Sequence, residues 1–560
     1  IGRAVSKDGY HFEDRKLLVR PDQSWDRFGC EDPRVTYFEG MYYIFYTALS
    51  TYPFGPEGIK VAVALSKDMD TILEKHLVTP FNSKAMTIFP ERINGKIVAI
   101  LTANTDMPPA KIAYAMFDTP EQMWDPNFWG EWYENIDDYI LPLQKRAEDH
   151  IEIGAQPVKT ENGWLLFYSY IRDYHTDNKV FGVDAVLLDK NNPNIIIGHS
   201  EFPLLTPEEE YEKYGDVPNI VFPSGAMIEG DTARLYYGAA DTSCCVAEIN
   251  LPGLLDVLST PKYDRPKFTR RKENPILTPH PMHDWEAKAV FNPSVLDIDG
   301  KVHMAYRAMS HDNTSYVGYA CSEDCVNFPV RDAEPMYWPR EKFEEKGVPN
   351  GNSGCEDPRL TLIDDKVYML YTAYNGYESP RVALTHLSKQ DFLEKKWENW
   401  STPVLISPPN YDNKDACILP EKVNGKYMIF HRMGIDIDYA LVDSLDFDGN
   451  TWLEENIWLA NRPGMWDDWK VGISGTPVKT DEGWILIYHG VSTDDHIYRV
   501  GAVLMDLEDP TKIIGRSYYP LFEPEVSYEL IGQVPNVVFP EGNVIREGIM
   551  YIYYGGADSV

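Results

Sequence analysis

The hexapeptide Gly354-Cys355-Glu356-Asp357-Pro358-Arg359 sets two carboxylates and a guanidinium around a proline. The proline disfavours the right-handed helical region for Asp357, so its carboxylate is expected to project from a turn rather than lie in a strand ladder. Held at the mouth of a channel, such a carboxyl can act as a general acid. The same residues allow a plainer arrangement, in which Arg359 pairs with Glu356 and caps the edge of a sheet, and the spacing favours neither. An identical hexapeptide, Gly29 to Arg34, precedes it by 325 residues and offers Asp32 as a second acid. Recurrence does not choose between the two, because packing residues also survive duplication.

The echo continues in order along the chain. Pro90-Glu91 with Gly95-Lys96 returns as Pro420-Glu421 with Gly425-Lys426, and Gly163-Trp164 returns as Gly483-Trp484. Val217-Pro218-Asn219 with Phe222-Pro223 returns as Val534-Pro535-Asn536 with Phe539-Pro540, and Tyr236-Tyr237-Gly238 with Asp241 returns as Tyr553-Tyr554-Gly555 with Asp558. The chain is thus a tandem duplication. Residues 1–260 form the first copy, 261–273 read as a proline-punctuated basic linker, and 274–560 form the second. The second opens with Phe291-Asn292-Pro293 and Tyr306-Arg307, to which the first has no counterpart. The first copy therefore begins a strand pair late, the second stops at Val560 before matching all of the first, and residue 1 is Ile, so both ends are expected to be trimmed.

Within each copy the texture is short aromatic and β-branched runs, such as Tyr42 to Thr47, Val367 to Thr372 and Met550 to Tyr554. Asn94-Gly95, Asp299-Gly300, Asn424-Gly425 and Glu482-Gly483 supply turns between them. Helical periodicity is scarce. Repeated hairpins over some 285 residues suit an all-β fold of two tandem five-bladed β-propellers, with sites at the central channels. A large sandwich is the structural alternative.

The 560 residues carry 52 Lys and Arg against 87 Asp and Glu, a net charge of −35 that repels nucleic acid and anionic membranes. Any anionic substrate needs a local cationic pocket built against that field. The seven cysteines show no zinc or disulfide spacing and read as reduced thiols. No apolar run spans a bilayer and no basic-then-apolar leader opens the chain, so a cytoplasmic location is expected.

The series Phe-Asn-Pro, Tyr-Arg-Ala, Gly-x-Glu-Asp-Pro-Arg, Tyr-Thr-Ala, Pro-Glu-Lys-x-x-Gly-Lys-Tyr, His-Arg, Tyr-His-Gly-Val, Val-Pro-Asn-Val-Val-Phe-Pro and Tyr-Tyr-Gly-x-Ala-Asp runs from residue 274 to 558. It resembles glycoside hydrolase family 130, five-bladed propellers acting on β-mannosides. A shorter, altered version spans Gly2 to Asp241. The resemblance implies phosphorolysis: inorganic phosphate attacks the anomeric carbon with inversion, releasing α-mannose 1-phosphate, while an aspartic acid protonates the leaving oxygen, directly or through a sugar hydroxyl. Matched by position, that acid is Asp357, with Asp32 its equivalent in the first copy. The sugar-holding residues fall on Asn292, Arg307 and Asp558, with Glu356 and Arg359 of the hexapeptide beside them. The phosphate-holding set falls on Lys414, Arg432, Lys470 and His489.

Physical chemistry agrees with that last set, because seating a phosphate dianion in so acidic a protein requires concentrated cationic donors, preferably with a forked arginine. Each alone reads as solvated surface charge. An inverting hydrolase would instead need a second carboxylate to activate water, roughly 6.5–9.5 Å from the acid. The first copy keeps Lys84 where the second has Lys414, but places Thr102, His150 and Ser169 at the positions of Arg432, Lys470 and His489. Its readings are a noncatalytic propeller, a hydrolase with Glu152 as base, or a phosphorylase with unusual ligands. For the whole chain, the alternatives to a phosphorylase are a phosphate-independent β-mannosidase and a carbohydrate-binding double propeller without turnover.

The tryptophans at 124, 129, 132, 397, 400, 466 and 469 could stack on sugars but read mainly as packing. Histidines such as His175, His280 and His311 show no metal-ligand spacing. The expected partners are a small oligosaccharide and inorganic phosphate as co-substrate, with no metal, no organic cofactor, no nucleic acid and no membrane. Linkage, acceptor sugar and homo-oligomeric state are set by loops the sequence does not resolve.

Overall fold

The computed structural model of the chain describes residues 1–176 and 179–560, the side chain of Tyr263 excepted. The chain divides into two compact units, Ile1–Arg265 and Pro266–Val560. The basic stretch read as a linker is pinned at two points. Arg265 pairs with Glu201 at 2.6 Å in the first unit, and Arg270 grips Glu529 at 2.7 Å in the second.

Each unit is a succession of mainly antiparallel sheets with few, short helices; in the second, a short parallel pairing at Thr314 and Ser315 with Ser353 and Gly354 joins two of them. The first unit opens with the hairpin Gly2–Ser6 and Phe12–Leu17, followed by the sheet Gly29–Phe38, Met41–Leu49, Ile59–Ser66 and Ile72–Leu77. The next sheets are built on Ser83–Ile88, on His150–Ile153 with Trp164–Arg172, and on Val221–Glu229. In the second unit the leading strands are Ala289–Ile298, which has no counterpart in the first, and Ser353–Ile363, Asn413–Ile418, Lys470–Ile473 and Val538–Arg546, which do. The aromatic and β-branched runs all fall in strands, and the Asn-Gly and Asp-Gly pairs at 94, 299 and 424 turn with both residues at positive φ.

The cores lie between neighbouring sheets. Phe45, Val63, Met86, Leu101 and Trp129 form one such layer, and Tyr319, Met369, Leu387 and Trp397 another. Trp129, Trp132, Trp397, Trp400 and Trp466 are buried packing residues, whereas Trp469 stays 40% exposed. All seven cysteines are free thiols. Among the described residues no helix is long and apolar enough to cross a membrane.

One local device recurs on the leading strands. Register shifts fall between Phe291 and Pro293, Glu356 and Arg359, and Lys414 and Cys417. In each, one residue adopts the left-handed region: Asn292 at φ +49°, Asp357 at +52° and Asp415 at +53°. A β-bulge of this kind bends the strand and re-aims a side chain, which is why bulges gather near active sites. The first unit repeats it at Asp32, φ +51°, and Ala85, φ +54°.

Candidate active site

Asp357 lies inside a strand, not on a free turn as its proline suggested; the bulge supplies the projection the sequence reading assigned to a turn. The left-handed backbone costs a non-glycine residue roughly 1–3 kcal/mol and persists only where its surroundings over-determine it. Here Arg359 does so. Its guanidinium is fully buried and donates to the carbonyls of Asp357 at 3.1 Å, Ser474 at 2.7 Å and Ile473 at 2.8 Å. Its charge is met by Asp415 at 3.5 Å and Glu541 at 3.1 Å. Of the two arrangements the spacing left open, the pairing of Arg359 with Glu356 is absent; Arg359 instead braces the backbone of Asp357.

The carboxylate of Asp357 accepts from Asn292 Nδ2 at 2.9 Å and Arg307 Nη1 at 3.0 Å. Arg307 also pairs with Glu356 at 2.7 Å, donates to Ser315 Oγ at 3.0 Å and lies over the Phe291 ring at 4.9 Å. Asn292 Oδ1 is buried with no partner in the protein and so is available to accept from a hydroxyl. Two motif glycines make these approaches feasible. A Cβ at Gly555 would stand 2.3 Å from Asn292 Oδ1, and one at Gly354, φ +112°, would stand 2.2 Å from the carbonyl oxygen of Ser315.

Burial raises the Glu356 carboxyl, with Arg307 opposing and Asp357 adding to the rise. Burial also pushes Asp558 up to about 6, against Arg307 and with help from Asp357 and Glu356. Three acids, Glu356, Asp357 and Asp558, thus surround one guanidinium. Sequence reasoning named all five of these polar residues, and the structure brings them together.

The four residues matched to phosphate converge on a carboxylate that the sequence reading missed, Asp415. Lys414 and Arg432 are cross-strand partners. Arg432 Nε donates to Asp415 Oδ2 at 2.6 Å, and His489 Nε2 stands 3.9 Å from the same oxygen. Burial would raise Asp415, but Arg432, Arg359, His489 and Lys414 together hold it well below the usual carboxylate range. Lys470 Nζ donates to Tyr498 Oη at 2.6 Å and lies 4.8 Å from the Trp469 ring. Burial, then the neighbouring Arg432, brings Lys470 down to about 8, with Asp415 opposing. Burial lowers His489 to about 3, so this imidazole is neutral at working pH, and its Nδ1 is buried without a partner. The cluster therefore offers three cations and a neutral imidazole around one anchoring carboxylate, which suits a tetrahedral oxyanion.

Asp415, Glu541 and Tyr498 were legible only by comparing the copies. Ala85 and Ser224 stand at the positions of Asp415 and Glu541 in the first unit, so both carboxylates vanish together with Arg432 and His489. The histidines also correct an expectation. His280 stacks on His283 at 4.0 Å, and the ligand atoms of His280, His283 and Glu286 lie within 4.8 Å of one another. Glu286 is already engaged by His283 at 2.5 Å, by Tyr306 at 2.8 Å and by Arg331. That arrangement reads as a charge network on the strand-leading segment.

Residues 1–260 and 263–560 both match the family model described as beta-1,4-mannooligosaccharide phosphorylase. The chain belongs to glycoside hydrolase family 130. Among curated family-130 relatives, the 1,2-beta-oligomannan phosphorylase of Thermoanaerobacter sp. (strain X514) is 38% identical over 301 residues, covering 52% of this chain and 95% of that protein. The beta-1,2-mannobiose phosphorylase of the same strain is 38% identical over 310 residues, with the same coverage. The solved beta-1,2-mannobiose phosphorylase from Listeria innocua, in complex with beta-1,2-mannobiose, is 27% identical, covers 52% of this chain and 93% of its own, and superposes with a TM-score of 0.42.

Proposed function

We propose that the chain is an inverting β-mannoside phosphorylase whose chemistry takes place in the second unit. A phosphate oxygen, held by Lys414, Arg432, Lys470 and His489, attacks C1 of the mannosyl residue as the glycosidic bond breaks. Asp357 gives its proton to the leaving oxygen, directly or through a sugar hydroxyl. The products are α-mannose 1-phosphate and the acceptor sugar, and solvent returns the proton to Asp357. Phosphate is the co-substrate, already ionised, so no second carboxylate is needed to activate the nucleophile, and no organic cofactor enters.

The observation that carries this reading is the convergence of three cations and His489 on Asp415, one guanidinium away from Asp357. The named activities of the 38%-identical relatives support it, and they make a β-1,2 linkage the first to test. The matched stretch, 52% of 560 residues or about 291, exceeds the 265 residues of the first unit but fits the second. We further infer that each unit is a five-bladed propeller, because successive antiparallel sheets present bulged leading strands to a common set of side chains. Seven free thiols favour a reducing compartment, the cytoplasm.

Replacing Arg432 with Ala tests the pocket. The expected result is a raised phosphate KM with little change in the sugar KM; unchanged phosphate dependence would count against the assignment.

A further inference from the structure

The first unit keeps the acids and the bracing arginine of one half of this site, without counterparts to Asn292 and Arg307, and rebuilds the other half. Asp32 repeats the left-handed bulge at φ +51°, and Arg34 repeats the brace, donating to the carbonyls of Gly154 at 2.9 Å and Ile153 at 3.2 Å and to that of Asp32. Asp241, φ +55°, repeats Asp558 at +51°. The charges of Glu31, Asp32 and Asp241 act on one another, so this acidic face of the site is assembled.

The anion half is inverted. A Cβ on Gly472 would run into His489 Nε2 at 2.4 Å and Asp415 Oδ2 at 2.8 Å, so a side chain at this register is directed into the phosphate cluster. The residue at that register in the first unit is Glu152, and the positions of His489 and Asp415 are shrunk to Ser169 and Ala85. A carboxylate has thus moved into the space the cluster occupies in the second unit. His150 lies 3.3 Å from Glu152 and stacks on Tyr174 at 4.1 Å, while the hydroxyl oxygen of Thr102, replacing Arg432, accepts from Ile153 N at 2.8 Å. Lys84, the cation kept from the set, pairs with Asp106 at 3.1 Å. Phosphate would meet Glu152 and Asp106 with one already paired lysine, an arrangement that repels it.

At the start of the strand that carries Asp32, and in the loop that follows its hairpin partner, three aromatic side chains face solvent. Phe28 is 45% exposed, Tyr52 73% and Phe54 55%, and their rings chain together at 6.3 and 5.5 Å. Tyr52 has its register equivalent in Tyr377 of the second unit, also 69% exposed. Exposed rings on the strand start and hairpin loop that flank Asp32 in the chain suit a polyol with an apolar face, which is a pyranose rather than an anion.

We infer that the first unit is a phosphate-blind binding site for a neutral β-linked mannooligosaccharide, holding sugar without turning it over. The inference rests on the phosphorolytic reading of the second unit for its sugar class. The test is isothermal titration of the intact chain with β-1,2-mannobiose and β-1,4-mannobiose in phosphate-free buffer, where phosphorolysis cannot proceed, and separately with inorganic phosphate alone. The expected result is two equivalents of one disaccharide and one of phosphate per chain. Asp241→Asn, whose amide tolerates the left-handed backbone, and Tyr52→Ala, at an exposed position, should each weaken one sugar equivalent at least tenfold and leave the phosphate equivalent in place. Fewer than two sugar equivalents with both disaccharides would overturn the inference. So would a second phosphate equivalent lost on Lys84→Ala, or phosphate-independent release of mannose abolished by Glu152→Gln. Release of mannose 1-phosphate when phosphate is restored reports separately on the second unit, so failure there is distinguishable from failure here.

Discussion

Arg359 joins the acid to the anion pocket: one buried guanidinium fixes the Asp357 backbone and meets Asp415, which in turn anchors Arg432. Asp357→Asn retains an acceptor for Asn292 and Arg307 but has no proton to give. It should lower kcat/KM by about 10² to 10⁴ with the fold intact, and a loss under about tenfold would be too small for a general acid. Lys470 makes a second prediction. Its ammonium sits near a pKa of about 8, below the ordinary lysine value, so it loses charge as pH rises through that range. Phosphate KM should then climb on the alkaline side, and Lys470→Arg, charged at every working pH, should flatten that climb. An unchanged alkaline profile in the arginine variant would remove Lys470 from the pocket.

At the scale of elements, bulges on the leading strands turn an ordinary antiparallel ladder so that single side chains are re-aimed toward the cluster. Gly354 is indispensable there, with φ +112° and the Ser315 carbonyl where a Cβ would lie. Gly354→Ala should destabilise the chain by more than ~2 kcal/mol, read as a lowered denaturation midpoint, because both backbone strain and a steric clash oppose it. Gly472→Ala is different: its Cβ meets His489 and Asp415 side chains, so phosphate KM should rise more than stability falls. Much of this was legible beforehand. Aromatic and β-branched runs with Asn-Gly turns announced the strands, and the duplicated hexapeptides marked Asp357 and Asp32 as equivalent positions while leaving their role to the family resemblance. The bulges were not, since a register shift depends on pairing across strands. Asp415 and Glu541 escaped notice because an isolated acidic residue in so acidic a chain stands out only when the two copies are compared position by position.

Over the whole molecule, a net charge of −35 surrounds a pocket that gathers Lys414, Arg432 and Lys470. From the hexapeptide onward both units share the same succession of sheets and bulges, while the clustered cations around Asp415 occur in the second alone. Where the second unit has Asp415, Glu541, Arg432, Lys470 and His489, the first has Ala85, Ser224, Thr102, His150 and Ser169. The difference falls on residues that cluster in space. The measurement that tests the central claim most directly is ³¹P NMR of the intact chain incubated with β-1,2-mannobiose at about 10 mM phosphate, a level above common Michaelis constants. The account predicts α-mannose 1-phosphate appearing in step with phosphate consumed, and none from Asp357→Asn. Free mannose released at the same rate without phosphate would contradict it.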